Sequence, residues 1–186
     1  MGNSQRILVL AGSPSTTSRT AALAGHLAGR LRSHGHDVGE VRVRDLPAGA
    51  LLAADAGAPG IAEVVQAIAD ADGVLVATPV YKAAYSGVLK ALLDLLPQFA
   101  LAGKVVLPIM TGGSPAHVLA VDYALRPVLS SLGAEHIVPG WFVLDRHIDL
   151  AAPSLRIAPE SADPLYQVTD AFSAALAARP TLTCTT

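Results

Sequence analysis

What the chain lacks narrows it first. Its 186 residues include a single cysteine, Cys184, so a disulfide framework is excluded and that thiol reads as a solvent-exposed tail group. Basic and acidic residues nearly balance, 13 against 15, for a net charge of -2, which is no signature of a nucleic-acid binder. No apolar stretch approaches the ~20 residues that span a bilayer. The opening MGNSQRILVLAGSP has an apolar run of about six residues closed by Gly-Ser-Pro, unlike a signal peptide. Arg6 stands where a myristoylation start carries Ser or Thr. The six histidines show no metal-ligand spacing beyond His34-Gly-His36, which falls at a turn on the edge opposite the site argued below, so no metal is expected. These absences leave an expected soluble, cytoplasmic protein. Its composition, 52% hydrophobic and 15% charged, is globular, and its length suits one domain over residues 1–186.

What is present alternates between two patterns. RILVLA, GVLVAT and KVVLPIM are short continuous apolar runs, as strands buried on both faces are. DVGEVRVRDL alternates valine with charge, the mark of a more exposed strand, and EHIVPGWFVL supplies a last strand region. Helical periodicity fills the gaps. Leu23, Leu27 and Leu31 share a face between a capping Ser18 and a terminating Gly35. Ile61, Val64, Val65 and Ile68 form a second stripe, and Leu89, Leu92, Leu93 and Leu96 a third that ends at Pro97. AHVLAVDYALRPVLSSLG reads as one long helix ending at Gly133, and DPLYQVTDAFSAALAAR as a closing helix. Pro47–Gly60 reads as a loop or short irregular helix. Five strands alternating with helices predict a three-layer α/β/α fold with a five-stranded parallel sheet in the flavodoxin-like order 2-1-3-4-5.

In such a sheet the loops after strands one, three and four leave the same edge. The first, GSPSTTSRT, gathers Ser13, Ser15, Thr16, Thr17, Ser18 and Thr20 beside Arg19 at a helix start. Helix N-terminal amides and hydroxyls cradle anions, although an ordinary turn with an N-cap serine also uses such residues. The loop is neither Walker A nor GxGxxG, so a terminal phosphomonoester suits it better than a pyrophosphate. The second, TPVYKAAYSG, offers a chain fixed by Pro79, two flat side chains in Tyr81 and Tyr85, a charge at Lys82, and Ser86-Gly87 opening a helix. In the third, TGG, Gly112 and Gly113 permit close backbone approach to a flat heterocycle. Phosphate cradle, aromatic rim and glycine-lined strand end together describe a site for flavin mononucleotide (FMN).

At these loops the chain resembles the NADPH-dependent FMN reductases of the flavodoxin-like superfamily, and among them the reductase components of two-component alkanesulfonate monooxygenases. The resemblance is carried by AGSPSTTSR, ATPVYKAAYSGVLKALLDLLP, GKVVLPIMTGGSPAH and AVDYALRPVLSSLGA. It implies hydride transfer from NADPH to FMN and delivery of reduced flavin to a partner monooxygenase. It implies that Ser13, Ser18, Arg19 and Thr20 hold the phosphate. Pro79, Val80, Tyr81, Lys82, Ser86 and Gly87 would flank the ribityl chain and ring, and Thr111, Gly112 and Gly113 would meet the pyrimidine edge. Ser15 stands where that family often has arginine, and Arg19 is the candidate to replace that charge. The resemblance also implies a homodimer or homotetramer, with Tyr123 at the position of a residue inserted as a π-bulge at the subunit interface. Pro127 alone would explain a simple kink there.

No acid, base or nucleophile stands out, and none is needed where the cofactor carries the chemistry. No catalytic residue is therefore expected. Competing readings are an azo- or quinone reductase that retains its FMN, a flavodoxin-like electron carrier, and a hydroxyl-rich α/β domain that binds another phosphorylated ligand. Carriers are usually strongly acidic, and this chain is only -2. No isolated pocket for a 2′-phosphate is visible, so the sequence does not by itself separate NADPH from NADH.

Overall fold

The computed structural model describes residues 4–151 and 155–178; Cys184 lies outside them. Six strand segments run through a parallel sheet: β1 (Arg6–Ala11), β2 (Asp37–Arg42), β3 (Gly73–Tyr81), β5 (Val105–Gly112), β6 (His136–Ile137) and β7 (Trp141–Leu144). A two-residue strand, β4 (Ala84–Tyr85), folds back antiparallel on the end of β3. The order β2-β1-β3-β5, with β6 and β7 sharing the outer side of β5, is the 2-1-3-4-5 flavodoxin-like arrangement.

Helices cover both faces. On one lie α1 (Arg19–Ser33) and α6 (Pro159–Ala177), and on the other α2 (Ala48–Leu52), α3 (Pro59–Asp70), α4 (Gly87–Leu93) and α5 (Arg126–Ser131). Strand residues divide between the two cores by alternation. Leu8, Leu10, Val74, Val76, Val106 and Met110 face α3 and α4, while Ile7, Val9, Leu75, Leu107 and Ile109 face α1 and α6. That double burial is why these strands read as unbroken apolar runs.

Three elements depart from the sequence reading. The last strand is split, because Pro108 lies mid-way along β5 with no N–H to offer a neighbour. β5 pairs with β6 through Val105 and Val106 and with β7 from Ile109 onward. Between β6 and β7 Gly140 comes so near that a Cβ there would lie 2.7 Å from the Pro108 carbonyl. Second, α4 ends at Leu93 rather than Pro97. Pro97 disfavours helical backbone before it, and Leu95 and Leu96 close the end through bonds to the carbonyls three residues back. Leu96 nonetheless stays buried with Leu89, Leu92 and Leu93.

Third, the long helix before Gly133 is three pieces: a 3-10 turn at Pro115–His117, a π-helical turn at Val121–Leu125 and α5. The Arg126 N–H reaches the Val121 carbonyl, five residues back. Pro127 cannot donate to the Tyr123 carbonyl, so widening the turn costs little there. The π-turn, rather than a plain proline kink, is what forms. A two-stranded β8 (Ile148–Asp149) and β9 (Arg156–Ile157) leads into α6.

Candidate functional site

The sheet register places the three loops on one edge. Ala11 lies beside Ala77, Pro79 beside Thr111, and Gly112 beside Leu144, so the chain leaves β1, β3, β5 and β7 at neighbouring points. Gly12 ties the first loop to the second. Its N–H donates to the Ala77 carbonyl at 2.7 Å, and its carbonyl accepts from the Ser86 hydroxyl. A Cβ on Gly12 would lie 2.7 Å from the Leu89 Cβ, so only glycine lets the loop pass this close to α4.

The first loop forms a ladder of hydroxyls. Ser13 Oγ accepts from the Ser15 N–H at 3.3 Å, Ser15 Oγ from Thr17 at 3.2 Å, and Ser18 Oγ from Ala21 at 3.0 Å as the N-cap of α1. A hydroxyl that accepts in this way keeps its own proton to donate. The N–H groups of Arg19 and Thr20 open the helix and have no acceptor within it. Arg19 extends from the same turn, its Nε donating to the Ile148 carbonyl at 3.3 Å. The loop therefore presents donors and a cation, the chemistry a phosphate monoester requires.

Behind the ladder, Thr20 Oγ1 and Thr111 Oγ1 meet at 2.6 Å, both buried. Their mutual bond uses one hydroxyl proton and leaves the other free. Both threonines line an open cleft with Ser13, Ser18, Arg19, Pro79, Val80, Tyr81 and Gly112. The structure thus gathers nine of the sequence-predicted residues around one cleft. Four others lie elsewhere on this edge. Gly113 is exposed just beyond Gly112, and Lys82 is exposed at the tip of the hairpin. Gly87 opens α4, with nothing within 4 Å of the place its Cβ would take. Ser86 is fully buried, its hydroxyl donating to Gly12 and accepting from the Leu89 N–H. Its side chain caps α4 and holds the first loop against it.

The rim of the cleft is a tight hairpin. Val80 pairs with Tyr85 and Tyr81 with Ala84, leaving Lys82 and Ala83 as the two turn residues, at φ 51 and φ 64. Positive φ at both positions is the type I′ pattern, usually filled by Asn-Gly. No glycine marks this turn, so no residue of the sequence signals it. The hairpin holds Tyr81 at the rim, 47% exposed.

Sequence reading also missed Asp145. It follows β7 directly, lines the cleft, and has its Oδ2 3.9 Å from the place a Cβ on Gly113 would occupy. The available signal was positional: the first polar residue after the last apolar strand falls on the same sheet edge as the other loops.

The chemistry of this donor set is compatible with FMN. The hydroxyl ladder and Arg19 suit its phosphate, the Thr20–Thr111 pair its polyol, and the strand end at Gly112 and Gly113 a flat polar ring edge. Among the described residues no three acidic, histidine or cysteine side chains converge to hold a metal ion.

Comparison with known proteins agrees with this geometry. The sequence profile of a family described as NADPH-dependent FMN reductase matches residues 5–149. A Pseudomonas putida protein named FMN reductase (NADPH) is 45% identical over 94% of this chain and 89% of its own length. An Escherichia coli protein of the same name is 48% identical over 77% of this chain and 75% of its own. Among solved structures, the apo form of an NADH:FMN oxidoreductase superposes with a TM-score of 0.88 at 44% identity, covering 95% of this chain and 92% of the other.

Proposed function

The chain belongs to the NADPH-dependent FMN reductase family, and from that premise we propose that the cleft binds FMN reversibly as a substrate and releases it reduced. The enzyme is an NAD(P)H:FMN oxidoreductase. The observation that carries the binding proposal is the hydroxyl ladder of Ser13, Ser15 and Ser18, with protons free to donate, set against the buried Thr20–Thr111 pair and the strand end at Gly112.

When bound, FMN supplies the electron-accepting chemistry. The chain's own part is to bind and orient. The α1 N-terminus and Arg19 anchor the phosphate, which fixes the distance from that anchor to the ring. Gly112 and Gly113 offer backbone to the ring edge, while Tyr81 on its hairpin rims the open side where a nicotinamide would stack. Holding two flat partners in contact converts an encounter into an oriented pair. No side chain in the cleft is required as acid or base.

The reduced flavin serves a partner FMN-dependent monooxygenase of the alkanesulfonate-desulfonating kind, in the cytoplasm, where the reductase works as a homodimer or homotetramer. The apolar surface by the π-turn supports the oligomer: Val118, Leu119 and Tyr123 are 49%, 60% and 79% exposed, an unusual run of bare apolar side chains for a monomer. Among the described residues no helix is long and apolar enough to cross a membrane.

Stopped-flow mixing tests the binding mode. NADPH oxidation that depends on added free FMN is the expected result. Oxidation by the protein as isolated, at full rate without added flavin, would instead mean a resident cofactor.

A further inference from the structure

Resting on the reductase reading above, we propose that Asp145 sets the redox selectivity of the cleft: its carboxylate weakens the hold on reduced FMN relative to oxidised FMN and so drives product release. The register puts Val143 beside Thr111 and Leu144 beside Gly112, and Asp145 is the next residue up that edge. Its Oδ2 comes within 3.9 Å of the Cβ position of Gly113, the glycine at the strand end offered to the ring. Asp145 is half-buried, lines the same cleft as Ser13, Thr111 and Gly112, and forms no ion pair among the described residues. Three cations share this edge: Arg19 lines the same cleft and donates to the Ile148 carbonyl, Arg146 follows Asp145 in an exposed position, and Lys82 stands in solvent at the hairpin tip; none of them forms an ion pair with Asp145 among the described residues.

The chemistry of the ligand makes this position matter. A hydride carries two electrons and one proton from NADPH to the flavin, leaving NADP+ and a reduced ring with one added negative charge, borne on its pyrimidine edge. A carboxylate without an ion-pair partner next to that edge repels the charged product. The oxidised ring is neutral and little affected. Binding therefore weakens on reduction, which suits an enzyme that must surrender reduced flavin and works against one that retains it.

The test compares dissociation constants for oxidised FMN and, under anaerobic conditions, for reduced FMN. Asp145→Asn should bind reduced FMN about tenfold tighter while the oxidised constant moves less than about threefold. For a two-electron couple that raises the potential of the bound flavin by ~30 mV. Asp145→Glu should keep the parent ratio. Asp149→Asn removes the same charge from an exposed position on β8 and should also leave the ratio unchanged. An unchanged ratio in Asp145→Asn, or an equal shift in Asp149→Asn, overturns the proposal. Failure of the unsubstituted chain to bind FMN in either state overturns the underlying functional reading instead.

Discussion

Thr20 and Thr111 meet at the floor of the cleft from a helix and a strand 91 residues apart in the chain. Each reads in the sequence as one more hydroxyl near a loop, and only the fold makes them a pair. Replacing either with valine leaves the other hydroxyl buried without this partner, at a cost of about 1–3 kcal/mol. Replacing both removes both demands, so the double variant should lose clearly less than the sum of the singles. Urea unfolding of Thr20→Val, Thr111→Val and the double variant measures this; strict additivity would show that the two do not act as a unit. Ser18 is the contrasting case. Its place before a leucine-patterned helix sufficed to identify it as a cap, because capping is decided by neighbours within one turn.

At the scale of elements, the hairpin of β3 and β4 holds its rim with two non-glycine residues at positive φ. Left-handed backbone costs roughly 1–2 kcal/mol for a side-chain-bearing residue. The pair Lys82→Asn/Ala83→Gly should therefore raise stability by about 1 kcal/mol, allowing for the entropy that glycine adds to the unfolded chain. Thermal unfolding reads this out, and a lower midpoint would mean the turn is held by more than its local geometry.

The packing of α6 on α1 predicts a pH response. His26 Nε2 meets the Tyr166 hydroxyl at 2.9 Å, His36 Nε2 meets Ser173 Oγ at 2.6 Å, and Arg30 bridges to Asp170 at 2.7 Å. Burial, then the Arg30 charge, holds the His26 imidazole below its ordinary 6.5, and burial, then His34, does the same to His36. The unfolded chain thus takes up protons first. This contribution is fully present above 6.5 and is lost as pH falls through the folded values. Asp170 is held below its ordinary 3.8, chiefly by hydrogen bonds from Arg30, so its contribution disappears only in stronger acid. Melting temperatures should fall as the pH drops below about 6.5, and His26→Gln/His36→Gln should flatten that slope. An unchanged slope would locate the sensitivity elsewhere.

For the whole molecule, the apolar face at the π-turn, Val118, Leu119 and Tyr123, stands exposed among the described residues. Leu119→Glu/Tyr123→Ala places a charge there and removes an aromatic ring. Sedimentation velocity should show the proposed homodimer or homotetramer reduced to a smaller species, with the fold retained by circular dichroism. An unaltered assembly would move the subunit contact to another surface.

The order of the sheet, the helix faces and the edge on which the three loops gather were legible in the sequence. Buried parallel strands must be continuously apolar and covering helices must show a striped face, and both are patterns over neighbouring residues. The hydroxyl loop and the paired glycines were legible for the same reason, since each is a local run placed by its strand. Tertiary structure alone decided the rest. It split the last strand opposite Pro108, spent the Ser86 hydroxyl on Gly12, and chose a π-turn over a kink between Val121 and Leu125. It also brought Asp145 beside Gly113. Each of these depends on which strands become neighbours and how closely their backbones pass, and no short window of sequence carries that distance.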